Sequence, residues 1–298
     1  MLIAATSSLV APNGVWRAWS VEPGVVVTLV ATAAVYGRAA YVARRHGGHR
    51  AAPWTTVSMF ATGWIALAVA LASPLDPLAE TLFVAHMAQH LVLIVVAAPL
   101  LVLGAPPVFW LWALPTDARR TVGRAVTHAP RVRWIGQMLS NPPLVLATHI
   151  AALWFWHFPR PYQAALEHSG IHILEHASFL GTAMAFWWVV LHPGGRRRLG
   201  FGASILYVGI ALCQSGALGA LLMFSARPWY PVHAAGDALW DLAPLADQQM
   251  AGLIMWIPVG VVYVGAAAAL FVQWMTADER ATRLGERPTT REIPCEAR

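Results

Sequence analysis

The sequence predicts an all-α polytopic membrane protein, a seven-transmembrane-helix bundle, on three observations. Its composition is 58% hydrophobic and only 11% charged, far from that of an average soluble domain. Apolar stretches of about 20 residues, enough to cross a bilayer as a helix, recur along the chain. No strand-like alternation suggests a β-barrel, and Gly and Pro occur within the apolar stretches as they do in membrane helices.

The first span is expected at 24–43. The residues before it lack the basic start of a cleavable signal, so the span is read as retained. The second is expected at 54–73 and the third, carrying HMAQH, at 82–104. The stretch TDARRTVGRAVTHAPRVR that follows reads as a basic amphipathic helix lying on the lipid surface. The fourth span is expected at 141–157, the fifth, carrying HILEH, at 170–191, the sixth at 202–224 and the seventh at 247–275. The transmembrane domain then covers 1–277, and 278–298 is expected to be a disordered polar cytoplasmic tail.

A net charge of +6 would suit nucleic acid, but every basic residue is Arg and these cluster in short connections between the apolar spans. With seven alternating spans, Arg44 to Arg50, Arg119 to Arg133, Arg196 to Arg198 and the tail arginines share one side. Only Arg17, Arg160 and Arg227 fall on the other. The positive-inside rule therefore puts the C-terminus in the cytoplasm and the N-terminus outside. The chain has two cysteines, Cys213 in a span and Cys295 in the tail. Neither a disulfide framework nor a thiolate cluster is available, so a metal here must rely on imidazole, carboxylate or thioether.

Two histidine pairs, His86 with His90 and His172 with His176, lie inside the third and fifth spans. Ionisable groups at such depth are expensive and mark function. The i,i+4 spacing stacks both rings of a pair on one helix face. Both spans enter from outside, so the four rings are expected at matched depth in the outer leaflet. Asp247 at the mouth of the seventh span completes the expected metal ligands. Five residues form a second tier: His149, His157, His168, Glu175 and Met255. A lone membrane histidine such as His149 is more often an interhelical hydrogen-bonding group. His46, His49, His128 and His192 fall on the arginine-rich side and read as solvated, and His233 sits in a long outer loop with no assigned role.

Imidazole with carboxylate and thioether suits copper or zinc. The H-x-x-E-H string of His172 to His176 also fits an inverted zincin, with Glu175 as general base and Asp247 or His86 as third ligand. Haem held between facing helix histidines is a third possibility. A scaffold whose polar cluster is purely structural is a fourth reading.

The stretches HMAQHLVLIVVAAPLLVLGAP (86–106), LWFWHFPRPYQAALEHSGIHILEHASFLGTAMAFWW (153–188) and DQQMAGLIMWIPVG (247–260) resemble the CtaG family of caa3-type cytochrome c oxidase assembly factors. His86, His90, His157, His172, Glu175, His176, Asp247 and Met255 occupy positions matching the family's motif residues. The resemblance implies a multi-pass protein of the bacterial plasma membrane that assists the oxidase subunits, an assembly factor or metallochaperone rather than an enzyme. Residues and resemblance together favour copper as the ion handled, with a zinc-dependent membrane hydrolase as the alternative.

Overall fold

A computed structural model describes residues 9–104, 107–139, 141–192 and 199–285. All regular structure among them is helical. The helices are α1 (Pro23–Ala51), α2 (Trp54–Ala72), α3 (Leu75–Thr81), α4 (Phe83–Gly104), α5 (Thr116–His128), α6 (Pro130–Leu139), α7 (Pro142–Trp156), α8 (Pro159–Glu167), α9 (Ser169–Leu191), α10 (Phe201–Met223), α11 (Ala234–Leu239) and α12 (Pro244–Gly285), with short turns between some of them.

Six of these, α1, α2, α4, α9, α10 and α12, are long and apolar enough to cross a membrane. The fourth expected span is α7, an apolar helix of 15 residues. Prolines bound it on both sides. Pro142 and Pro143 open its first turn, where the Asn141 side chain accepts from Leu144 N, and Pro159 follows shortly after its end. At 1.5 Å per residue it is roughly 22 Å long against a hydrocarbon core of about 30 Å. The basic stretch after α4 is two helices rather than one, because Pro130 breaks it between α5 and α6. The last helix runs on to Gly285, past the boundary expected at 277. Arg196 to Arg198 and the rest of the expected tail, 286–298, lie outside the described residues.

Helix α4 changes its winding midway. Val92–Ala97, starting two residues after His90, form a π-helical segment. Such widened turns are frequent at functional sites. Trp187 of α9 donates its indole N–H to Ile94 O within this segment at 2.8 Å. The two histidine-bearing helices are thereby joined just below the histidines.

Helix α9 packs against α4 and α7, and Phe179, Ala183 and Phe186 on it are fully buried. Helices α10 and α12 pair most closely. A Cβ on Gly252 would lie 2.6 Å from Gly219 O, and one on Gly219 would lie 2.8 Å from Gly252 O. Only glycine at both positions allows the two backbones to touch, the small-residue contact common between membrane helices. At one end of the bundle, Tyr36 of α1 stacks on Phe60 of α2 at 3.5 Å and donates to Gly104 O at 2.7 Å. Arg38 reaches Ala113 O from the same end.

The opposite, arginine-poor end is closed by the connections that contain α3, α8 and α11. Tyr230 donates to His157 O at 2.6 Å, and Tyr162 donates to His233 Nε2, also at 2.6 Å. His233 Nδ1 faces Thr81 O at 3.2 Å, so this nitrogen carries the proton and Nε2 accepts. Gly236 lies directly against Thr81 O, where a Cβ would collide with the carbonyl. These contacts form a cap over the ends of α4, α7, α9 and α12.

Candidate metal centre

Below the cap, α4 and α9 face each other through their histidines. One ligand atom from each of His86, His172, Glu175 and His176 lies within 4.8 Å of the other three. His86 and Glu175 have no solvent exposure, and His90 and His176 are nearly as buried. Glu175 sits between the two histidines of α4: Oε2 is 3.7 Å from His86 Nε2 and Oε1 is 3.7 Å from His90 Nε2. The rings pack on one another, with centroids 4.3 Å apart for His86 and His90, 4.2 Å for His172 and His176, and 5.3 Å for His90 and His176.

Most polar atoms of this group have no hydrogen-bond partner. Both nitrogens of His86 and of His90, both oxygens of Glu175, and Nε2 of His172 and His176 are all buried and unpaired. Buried polar groups nearly always find a partner, and leaving one unpaired costs about 1–3 kcal/mol. A set of imidazoles and one carboxylate gathered this closely fits a borderline transition metal. Bonds of about 2.0–2.2 Å from nitrogen and oxygen require closer ligands than the present spacing.

The other expected site residues are placed elsewhere. Asp247 lies at the cap, where its carboxylate accepts from Phe83 N at 2.7 Å and from Val84 N at 2.9 Å. It thus satisfies the free N–H groups at the start of α4, the task of an N-cap residue supplied here from another helix. His149 lies two turns farther along α7 from His157, bonded to Thr182 Oγ1 at 3.1 Å and stacked on Phe186. His168 is exposed and faces Ala164 O at the start of α9. Met255 is buried in an apolar cluster with Met87, Phe83 and Tyr162. His157 faces Met87 Sδ at 3.3 Å.

Three participants carry no sequence signal that marks them. Tyr162 brings its ring to 5.0 Å from that of His86, His233 holds Tyr162, and Met87 occupies the neighbouring helix face from His86. Gln89, fully buried, ties α4 to its neighbours by donating to Ala70 O and Asp76 Oδ1, each at 2.8 Å. His176 also lines an apolar cavity of ≈ 540 Å³ between α1, α2 and α9, whose walls include Leu29, Trp64 and Leu180.

The cytochrome c oxidase caa3 assembly factor family matches residues 34–277, a stretch that includes the whole cluster and its cap. The chain belongs to this family. As a member of the caa3 assembly factor family with six helices of membrane-crossing length, it is a multi-pass membrane protein. Its relatives include the uncharacterized proteins Mb0105 of Mycobacterium bovis and MT0111 of Mycobacterium tuberculosis, each 25% identical over 243 residues, or 76% of this chain and 35% of the relative. The uncharacterized protein ML1998 of Mycobacterium leprae is 26% identical over 239 residues, 74% of this chain and 34% of its own. The chain therefore spans about a third of the length of these relatives. No solved structure matches it.

Proposed function

We propose that this caa3 assembly factor works in the bacterial plasma membrane as a seven-span protein that handles copper for cytochrome c oxidase subunits. In this reading α7 is the fourth, short crossing, and the arginine-poor cap faces outward under the positive-inside rule. The carrying observation is the cluster of unpartnered buried donors, His86, His172, Glu175 and His176, with His90 beside them. A haem–copper oxidase needs copper placed at histidines inside its membrane subunit. Imidazoles held below the surface would let the ion pass without release to water. The close packing of the rings around Glu175 suits a bare ion better than a haem macrocycle.

Glu175 also weighs against a zinc hydrolase. A general base must have an oxygen free to face the attacking water, whereas both Glu175 oxygens face imidazole nitrogens of α4, at 3.7 Å from His86 and from His90. Elemental analysis of the detergent-purified full chain tests the proposal. Wild type should carry stoichiometric copper, and the double variants His86→Ala/His90→Ala and His172→Ala/His176→Ala should lose it. Full occupancy in both variants would overturn the assignment. A surface hydrolase would instead lose turnover in Glu175→Gln while retaining zinc.

A further inference from the structure

His157 is placed so that its two ring nitrogens cannot both be satisfied by the protein. Nδ1 lies 2.6 Å from Leu153 O. A carbonyl only accepts, so Nδ1 bears the proton and Nε2 of the neutral ring presents a lone pair. That lone pair points at Met87 Sδ, 3.3 Å away, and a thioether also has only lone pairs to offer. The other tautomer merely moves the conflict, setting a bare Nδ1 against Leu153 O. A doubly protonated ring would meet both neighbours, but it would bury a charge with no carboxylate in ion-pair range among the described residues. Both residues are buried, and Tyr230 holds the His157 carbonyl in place. Two electron-pair donors, one nitrogen and one sulfur, therefore converge in an apolar wall.

The wall connects to the main cluster. His90 lies outside the four-residue group, and both its nitrogens are unpartnered. Its ring centroid is 5.3 Å from that of His176 and 6.4 Å from that of His157. Phe179, fully buried, packs against His90 at 4.5 Å and against His157 at 6.1 Å, so one apolar ring borders both.

We propose that His157 Nε2 and Met87 Sδ form a second metal site, specific for a cuprous ion and reached from the His/Glu cluster by way of His90. Thioether sulfur selects Cu(I). A monovalent ion on two neutral ligands also brings the least charge into a site that has no carboxylate of its own. This inference deepens the copper reading and rests on it. It assigns the two sites different ligand chemistry: imidazole and carboxylate in the cluster, imidazole and thioether at the wall.

The test is anaerobic Cu(I) titration of the detergent-purified full chain against a chromophoric chelator, with X-ray absorption at the copper edge. Wild type should take up two ions, with a sulfur scatterer in the copper spectrum. Met87→Leu, a volume-conserving change that cores tolerate well, should bind one ion and lose the sulfur signal. Met255→Leu should keep both. His172→Ala/His176→Ala should retain the sulfur-ligated ion. The second site is overturned, with the copper reading intact, if Met87→Leu still binds as wild type does or if the sulfur signal vanishes in Met255→Leu instead. Wild type that binds no copper overturns both. Selenomethionine-labelled Met255→Leu protein gives the same answer without altering Met87: a copper–selenium contribution supports the site, and its absence refutes it.

Discussion

The cap and the cluster beneath it are built from the same residue types at similar burial, and Tyr162 touches both. In the cap, Tyr162, His233 and Asp247 close their polar contacts within the protein, and only Asp237 Oδ1 among its buried carboxylate oxygens is unpartnered. Tyr162 donates to His233, the proton on His233 faces Thr81 O, and each Asp247 oxygen takes a backbone N–H of α4. In the cluster, His90 and Glu175 have no hydrogen-bond partner for any side-chain nitrogen or oxygen. A satisfied network fixes one structure, whereas a partly satisfied one is costly in a low-dielectric interior. The cap thus holds the cluster's helices in place, while the cluster's own donors stay without partners in the protein.

The sharpest way to break this comparison is Asp247→Ala. It strips the start of α4 of its cap and leaves the N–H groups of Phe83 and Val84 buried without partners. A loss of about 2–4 kcal/mol is expected, read by thermal or denaturant unfolding in detergent. The folded fraction should still bind copper at the wild-type stoichiometry. If Asp247 were a ligand, copper would fall at unchanged stability. Tyr162→Phe is the milder form of the same experiment. It removes the hydroxyl that His233 Nε2 accepts from and should destabilise by about 1–2 kcal/mol, again without changing the copper content.

Changing the cluster should have the opposite sign. Glu175→Gln removes a buried carboxylate that has no hydrogen-bond partner in the protein, so the metal-free form should gain roughly 1 kcal/mol, in line with the usual trade of function against stability. Copper affinity should fall at the same time. A variant that unfolds more easily with its affinity intact would make Glu175 a structural residue like those of the cap.

The sequence makes the cluster legible and the cap nearly invisible, for a physical reason. His86, His90, His172 and His176 announce themselves because imidazoles paired at i,i+4 in an apolar span cost too much to be kept for packing alone. The six helices of membrane-crossing length follow from apolar length, whereas α7, hemmed in by prolines, falls short of that length. The roles of Asp247, Tyr162, His233 and Met87 depend on contacts between residues far apart in sequence, such as the 2.7 Å bond from Phe83 N to Asp247. No local pattern encodes these. Asp247 is legible as functional by its position at a helix mouth, yet its partner, the start of α4, emerges only when α12 packs beside it. The π segment at Val92–Ala97 is likewise silent in a run of aliphatic residues.

The smallest expected effect distinguishes the cap's own charges. Asp237 of α11 is buried and its carboxyl lies against that of Asp247. Burial, reinforced by the hydrogen bond to Asp247 and that group's charge, raises its pKa from 3.8 to about 7. Between these values the folded protein holds a proton that the unfolded chain releases, so the stabilising contribution is complete below pH 3.8 and disappears as pH rises through 7. His233, the other titrating group of the cap, has its pKa lowered from 6.5 to about 4, chiefly by burial, and its contribution runs the other way, being lost as pH falls through that range. Of the cap's two groups, the slopes oppose each other below 6.5, and that of Asp237 alone remains above it. Wild-type thermal stability should therefore fall between about pH 6.5 and 7.5, and Asp237→Asn should flatten that fall by removing the proton on which it depends. Parallel curves for the two proteins would show that the shared proton contributes nothing to holding the cap closed.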